Sequence, residues 1–430
     1  MKEKKPGKAQ TTKLYNSHLA RFKASYYKKV GLDLVMGKRE GIYFWDLNGK
    51  KYINCHCNGG VFNLGHRNPD ILSALKDSLE EYDIGNHHLI SGPRSVLAKK
   101  LSDSFSTKKT KSRLTRVIFG ASGGESADLA IKLARGFTGR QKIISLSGGY
   151  HGHTGLALAA GDPKYREPFR IELPDFVQIP FGNERSLEAE LFSGAAAVIL
   201  ETVPATLGMP IFPKETMALI RKLCDRTGTL LILDEIQTGL GRTGKMWGFQ
   251  HYDIMPDIVI TGKGFSGGLY PISAVCYQEK IEKVFKKDPF VHISTFGGAE
   301  VGCAAALRVL EIAENPDFLR HVEETGAYLE NEWKKLRDTY SEIRGVRRLG
   351  MFMGIVLATP EDCLVLVRTL LDNGIFAVYS NNDKHVLQFL PPLITTDEEA
   401  AKIMEIVRKS LADMRRFRYQ LLKKVLEFML

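Results

Sequence analysis

Between about residues 65 and 310, short apolar runs alternate with stretches of helical spacing. The runs are Arg116–Phe119, Lys142–Leu146, Ala196–Leu200, Leu230–Leu233, Asp257–Ile260 and Ile272–Val275. A strand that is apolar along its whole length must be covered on both faces. Helices inserted between successive strands favour parallel connections. The expected fold class is therefore α/β, with a mostly parallel sheet sandwiched by helices. In such a sheet, functional residues gather where strands end at their carboxyl side.

The two ends of the chain read differently. Residues 1–13 look like a tail, followed by a helix from about Leu14 to Lys29 and a hairpin turning at Asn48-Gly49. After about residue 315 come a helix over 317–339, the run Gly345–Leu357, a helix over 360–373, Ile375–Tyr379, Val386–Leu390 and a helix from Asp397. That order suits a small α+β unit. The expected division is 1–64 as an arm plus part of a small domain, 65–314 as the large domain, and 315–430 as the rest of the small domain.

Charge needs its distribution before it means anything. The 430 residues carry +11, but residues 1–30 hold +8 and residues 401–430 hold +5, which leaves −2 for residues 31–400. The body therefore lacks the basic face expected of a nucleic-acid binder, and no helix-turn-helix, zinc-finger or RNA-recognition signature is present. The end segment Arg415–Leu430 is basic and amphipathic, consistent either with a docked terminal helix or with a membrane or partner contact. No apolar run is long enough to span a bilayer. Six cysteines with no Cys-x-x-Cys spacing make neither a disulfide framework nor a zinc set; they read as reduced thiols and point to a cytoplasmic location.

Four features sit at predicted strand ends. Ala121-Ser122-Gly123-Gly124-Glu125-Ser126 opens a helix, where backbone N–H groups can receive a phosphate; taken alone it is also an ordinary Gly-rich turn. Asp234 ends a very apolar strand, where a carboxylate can meet a cation or simply cap a helix. Lys263 lies between glycines after the next strand, as a Schiff-base lysine or a turn lysine would. Tyr150, in Gly149-Tyr150-His151-Gly152-His153-Thr154, can stack on a flat ring or fill a turn. One ligand satisfies all four: pyridoxal phosphate, with its phosphate, aromatic ring, ring nitrogen and reactive carbonyl.

At this point the chain resembles a known family, the class III pyridoxal-phosphate-dependent aminotransferases of fold type I, which include ornithine, 4-aminobutyrate and polyamine aminotransferases. The resemblance runs from about Gly41 to Asp413. Its landmarks are Phe62–His66, Ser122–Glu125, Tyr150–Gly152, Leu233–Gly244, Thr261–Gly264 and Thr295–Gly298. It implies a large pyridoxal-phosphate-binding domain of mostly parallel sheet beside a small α+β domain. It further implies that Lys263 holds the cofactor as an internal aldimine and shuttles the proton, and that Asp234 pairs with the ring nitrogen. Tyr150 would stack on the ring, with His151 beside it in the same motif. Ser122, Gly123 and Gly124 would receive the phosphate, and Gln237 would lie near the ring hydroxyl. Glu201 matches a family acid near the ring, and Arg242 a structural arginine. Thr295 would reach the cofactor of a neighbouring subunit, which implies a homodimer.

Three positions depart from the family pattern. His153 stands where many members carry an arginine that grips a substrate carboxylate. Gln388, in Val386–Pro392, replaces a late arginine, and Thr206 replaces the glutamate that holds it. Losing both members of that pair avoids stranding a buried charge. The expected substrates include at least one that is not a simple dicarboxylate, such as an amine, a polyamine, an amino sugar or a carrier-bound aldehyde. A carboxylate could instead meet His87, His88 or Arg94. The expected activity is ping-pong transamination between an amine or ω-amino donor and a carbonyl acceptor. An aminomutase or a racemase on the same scaffold is the alternative, and a non-catalytic basic binding protein is the rival of another class.

Overall fold

The computed structural model describes residues 6–107 and 111–427. Positions 1–5 of the expected tail lie outside them. At its centre is a seven-stranded sheet in the order Arg116–Gly120, Ser273–Tyr277, Ile258–Thr261, Leu230–Asp234, Ala197–Glu201, Ile143–Leu146 and Phe176–Ile179. The last five strands are mutually parallel. Ser273–Tyr277 runs antiparallel to both its neighbours. Its direction has a plain cause. Between Thr261 and Ser273 the chain makes only a short 3-10 turn, Lys263–Ser266, and a parallel return needs a longer crossover.

The central strands are apolar throughout because both faces are covered. Leu231, Leu233, Val198, Leu200 and Val259 pack into one buried layer, while Ile232, Ile199, Ile258 and Ile260 face another that contains the helix Gly123–Thr138. The alternation along Leu230–Leu233 between the two layers is the period-two pattern of a strand with two buried faces. The edge strand Phe176–Ile179 is only half-buried over its first three residues. Its sequence, Phe-Val-Gln-Ile, therefore lacks the solid apolar run that marks the inner strands.

The ends of the chain meet in two smaller sheets. Met36–Glu40, Tyr43–Asp46 and Lys51–Asn54 form one, completed by Ile375–Phe376. Ile343–Leu349, Phe352–Leu357, Val386–Phe389 and Val378–Tyr379 form the other. The Asn48-Gly49 turn is present, and the Asp46 carboxylate accepts the N–H groups of Asn48 and Lys50 at 2.8 and 2.9 Å. Gly345–Leu357 is two strands that turn at Gly350 rather than one run, and Ile375–Tyr379 is divided between the two sheets. A separate core joins Ile42, Ile53 and Cys55 to Trp333, Ile355, Leu366, Phe389 and Met404.

The expected helix over Leu14–Lys29 is two helices, Lys8–His18 and Arg21–Val30, with Ala20 in a non-helical conformation between them. Neither buries a side chain, so no packing demands a continuous rod. The terminal helix is likewise two, Asp397–Asp413 and Phe417–Glu427. The second is docked: the Tyr419 hydroxyl donates to Asp372 at 2.7 Å and the Lys423 ammonium to Asp362 at 2.5 Å. No helix among the described residues is long and apolar enough to cross a membrane.

Candidate active site

Adjacent parallel strands end side by side, and their last residues carry the charge. Glu201 and Asp234 are register partners at the ends of Ala197–Glu201 and Leu230–Asp234. Lys263 follows the next strand. Its φ is +44°, a left-handed conformation that costs a non-glycine residue about 1–3 kcal/mol. That turn aims its amine back across the strand ends, where Nζ donates to Gln237 Oε1 at 3.0 Å. Burial holds the Lys263 amine below its ordinary value, against the opposing pull of Asp234 and Glu201. A lysine so placed is the more available as a nucleophile.

Asp234 is 4% exposed. Its Oδ2 meets His151 Nδ1 at 2.8 Å, and its Oδ1 accepts the Ile236 N–H at 3.0 Å. Burial alone would lower the His151 imidazole; the hydrogen bond and charge of Asp234, with Glu201 behind it, outweigh burial and hold it above its ordinary value. Glu201 accepts the N–H groups of Tyr150 and Ala205 at 3.0 and 3.1 Å. Burial pushes its carboxyl up to about 7, opposed chiefly by His151.

These residues line a cavity of about 310 Å³ that also takes in Ser122, Gly123, Gly124, Tyr150, Gly152, His153, Thr154, Val203, Ile236 and Thr238. Its floor includes the N-terminus of the 16-residue helix Gly123–Thr138. Ser122 Oγ accepts the Glu125 N–H at 3.3 Å, and Glu125 Oε2 accepts that of Ala121 at 2.7 Å. The Ser273 hydroxyl, bonded to Ser122 O and Ser126 Oγ at 2.8 Å each, braces the turn from the neighbouring strand. Gly152 closes over it with φ +130°, and a Cβ there would lie 2.6 Å from Gly124 Cα.

Pyridoxal phosphate fits what is present. The helix N-terminus favours a phosphate. Gln237 Nε2 is buried and has no hydrogen-bond partner among the described residues. It adjoins the lysine amine, an unspent donor where a polar ring substituent would be received. Asp234, bonded to the His151 imidazole, is a carboxylate suited to a protonated ring nitrogen.

Of the substrate positions expected from sequence, only His153 lines the cavity. Thr206 Oγ1 donates to Gly148 O at 3.0 Å, and Gln388 Nε2 to Ala205 O at 3.0 Å. Asn382 bonds the same Gly148 carbonyl and the Thr206 carbonyl. These two neutral side chains fasten residues 380–388 to residues 148 and 205–206. The Arg94 guanidinium donates to the carbonyls of Gly298, Asn86 and Ile84. His87 and His88 pack on one another, with His88 also against Phe290. Arg242 is fully buried and donates to Asn63, Met351 O and Pro391 O. Thr295 lies in an exposed segment and does not line the cavity of its own chain.

Sequence reasoning missed two contributors. The run Cys57, Asn58, Gly59, Gly60 is left-handed throughout, and a Cβ on Gly59 would lie 3.3 Å from Lys263 Cε. His56 precedes it, and burial followed by the Lys263 charge pushes its imidazole down to about 4. The Asn-Gly-Gly string was the available signal. Tyr165 is the other: its ring packs edge-on to Tyr150 at 5.7 Å and to His153 at 5.0 Å. Only the fold brings it there.

The chain belongs to the class III aminotransferases: the family model described as Aminotransferase class-III matches residues 26–411. It is 48% identical, over 98% of both chains, to an aminotransferase of Archaeoglobus fulgidus. Among solved structures it resembles the ornithine aminotransferase of Toxoplasma gondii, with a TM-score of 0.86 and 25% identity over 96% of each chain. It also resembles the acetylornithine aminotransferase of Elizabethkingia anophelis (TM-score 0.82, 27% identity, 95% of this chain and 100% of that one). A third is the taurine:2-oxoglutarate aminotransferase of Bifidobacterium kashiwanohense, solved with pyridoxal phosphate and glutamate (TM-score 0.84, 26% identity, 96% and 99%). The protein is a pyridoxal-phosphate-dependent transaminase of fold type I.

Proposed function

We propose, from that membership, that the enzyme takes an amino group from an amine or ω-amino donor and gives it to a carbonyl acceptor in ping-pong order, with Lys263, Asp234 and Glu201 as the chemical residues. The observation that carries this reading is the half-buried Lys263 amine, set among two strand-end carboxylates and a Gln237 amide with a spare donor. Lys263, Asp234, Gln237, Tyr150, His151, Ser122, Gly123 and Gly124 would hold pyridoxal phosphate. When bound, the cofactor supplies an electron-accepting ring that stabilises the charge left when a substrate carbon loses its proton. Lys263 Nζ is the base that takes that proton and returns it, its basicity moderated by burial. Asp234, steadied by His151, would face the ring nitrogen. Tyr150 would wall the ring.

The assembly is a homodimer in which Thr295 completes the partner's site. Support comes from the exposed apolar side chains of Phe290, Val291, Ile293 and Phe296 on either side of it, and of Leu89 and Ile90. An exposed apolar surface of this kind marks an interface. The domain division is 1–64 with 315–430, against 65–314, supported by the separate cores. A cytoplasmic location is supported by six free, buried cysteines.

The relatives' printed names support transamination rather than the aminomutase or racemase alternative, and ornithine and taurine both carry a terminal amino group. A donor amine supplied alone should discharge the holoenzyme's absorbance near ~420 nm once per site and release one equivalent of carbonyl product. Turnover of a single substrate without acceptor and without released carbonyl would show the transaminase reading to be wrong.

A further inference from the structure

A third carboxylate stands beside the strand ends but faces the other way. Successive residues of a strand point to opposite faces, so Glu235 turns from the side that Asp234 serves, and it does not line the cavity. It is fully buried. Its Oε1 accepts the Thr202 hydroxyl and the Phe249 N–H, both at 2.7 Å. Its Oε2 accepts the Thr238 hydroxyl at 2.6 Å and the Gly248 N–H at 2.9 Å. All of these donors are neutral, and two on each oxygen fill an ionised carboxylate. Leu233, Trp247 and Phe249 belong to the apolar layer on that side, where a hydrocarbon side chain would carry none of the cost of burying a charge. The carboxylate therefore calls for a reason beyond packing.

Its donors come from three segments around the site. Thr202 follows Glu201, and Thr238 follows Gln237. Gly248 and Phe249 open the 3-10 turn Gly248–His251. Gly248 leaves little room there: a Cβ would lie 3.0 Å from Thr202 Cγ2 and 3.1 Å from Glu235 Oε2. The Thr238 bond, with the Gly239 N–H on Glu235 O at 3.0 Å, closes the turn over residues 235–239. That turn presents Ile236 and Gln237 to the cavity. Ile236 packs against the phosphate turn, since a Cβ on Gly123 would lie 2.7 Å from Ile236 Cδ1. Gln237 Oε1 receives the Lys263 amine at 3.0 Å, while its Nε2 has no partner among the described residues. The Gln237 side chain is thus held by the lysine alone, and its placement depends on the turn that Glu235 closes.

We propose that Glu235 is a positioning residue: through the Thr202 and Thr238 hydroxyls its carboxylate sets where Glu201 and Gln237 stand about Lys263, and so how fast the lysine amine meets a carbonyl. It rests on the reading of Lys263 given above and deepens it. Glu235 itself touches neither cofactor nor substrate. A carboxylate suits the task because it accepts from all these donors and donates nothing; an amide in its place would turn N–H groups toward two of them.

Cofactor loading tests this without any amino donor. Apoprotein is mixed with pyridoxal phosphate at a series of concentrations, and growth of the ~420 nm band is followed. The limiting rate reads the lysine step, and the half-saturating concentration reads the binding that precedes it. Thr238→Val removes a hydroxyl and keeps the shape. Its limiting rate should fall roughly tenfold or more, the cost of a misplaced reacting group, with half-saturation within about threefold of wild type. Thr238→Ser keeps the hydroxyl and should bring the rate back to within about threefold. Thr202→Val should slow the same step less, because it acts through Glu201. Glu235→Gln should slow it at least as much as Thr238→Val; if that variant does not fold, the two threonine positions decide alone. A limiting rate that Thr238→Val leaves unchanged overturns the proposal. So does equal slowing by serine and valine, or weaker half-saturation at an unchanged rate, which marks a merely structural loss. Absence of the ~420 nm band in the wild type overturns both this proposal and the assignment of Lys263. A normal band that no amine discharges overturns the transaminase reading alone.

Discussion

The buried Glu201 makes a prediction about stability that needs no substrate. Its carboxyl moves from an ordinary 4.5 to about 7 in the fold, because burial outweighs the two N–H groups and His151. That displacement corresponds to about 3 kcal/mol. Below pH 4.5 both the folded and unfolded chains are protonated at this group, and it costs nothing. As pH rises through the window from 4.5 to about 7, the unfolded chain ionises first, and stability falls. Above about 7 both forms are ionised and the full cost is present. Replacing Glu201 with Gln removes the titration but leaves an amide facing two backbone donors, a penalty that does not depend on pH. The quantity to measure is therefore the difference between variant and wild type at two pH values. Urea denaturation of protein freed of cofactor, at pH 5 and pH 8, should show Glu201→Gln gaining about 2–3 kcal/mol on wild type between them. A difference that stays constant between pH 5 and pH 8 would refute the reasoning, because the group would then not be titrating in that window.

Lys263→Ala should abolish the ~420 nm band and lower activity by roughly a thousandfold or more, the loss of a positioned base; absorbance spectra and donor assays check both. Gly152→Ala forces a side chain onto Gly124 Cα at 2.6 Å and into φ +130°. Apoprotein titrated with pyridoxal phosphate should bind it at least about tenfold more weakly, since the strain of about 1–3 kcal/mol falls on the phosphate turn. Arg242→Lys leaves acceptors among Asn63, Met351 O and Pro391 O unmet. A loss of at least about 2 kcal/mol is expected by chemical denaturation, because an ammonium cannot reproduce the planar fork.

How far the sequence reaches depends on how local the determining physics is. Inner strands such as Leu230–Asp234 are legible because burial on both faces leaves an unbroken apolar run. Asp234 and Lys263 are legible because a charge at the end of such a run has no packing explanation. Phe176–Ile179 escaped because an edge strand needs less apolar surface. Ser273–Tyr277 was legible as a strand, and its direction could have been argued from the short link that precedes it. Thr206 and Gln388 sit where an arginine and its partner stand in other members, but their hydrogen bonds go to backbone carbonyls that only the fold brings near. Tyr165 is invisible for the same reason: its importance lies in two rings more than ten residues upstream.

The strand Ser273–Tyr277 sets a schedule for biosynthesis. It wedges between Arg116–Gly120 and Ile258–Thr261, and its first residue braces the Ser122 turn. The helix that begins at Gly123 emerges from the ribosome long before Lys263 does, and at roughly 5–20 residues per second the gap is on the order of ten seconds. During that time the strand Arg116–Gly120 has no neighbour to pair with and its turn has no brace. Cofactor capture is thus deferred until the chain has passed Tyr277, so a nascent first half cannot sequester pyridoxal phosphate.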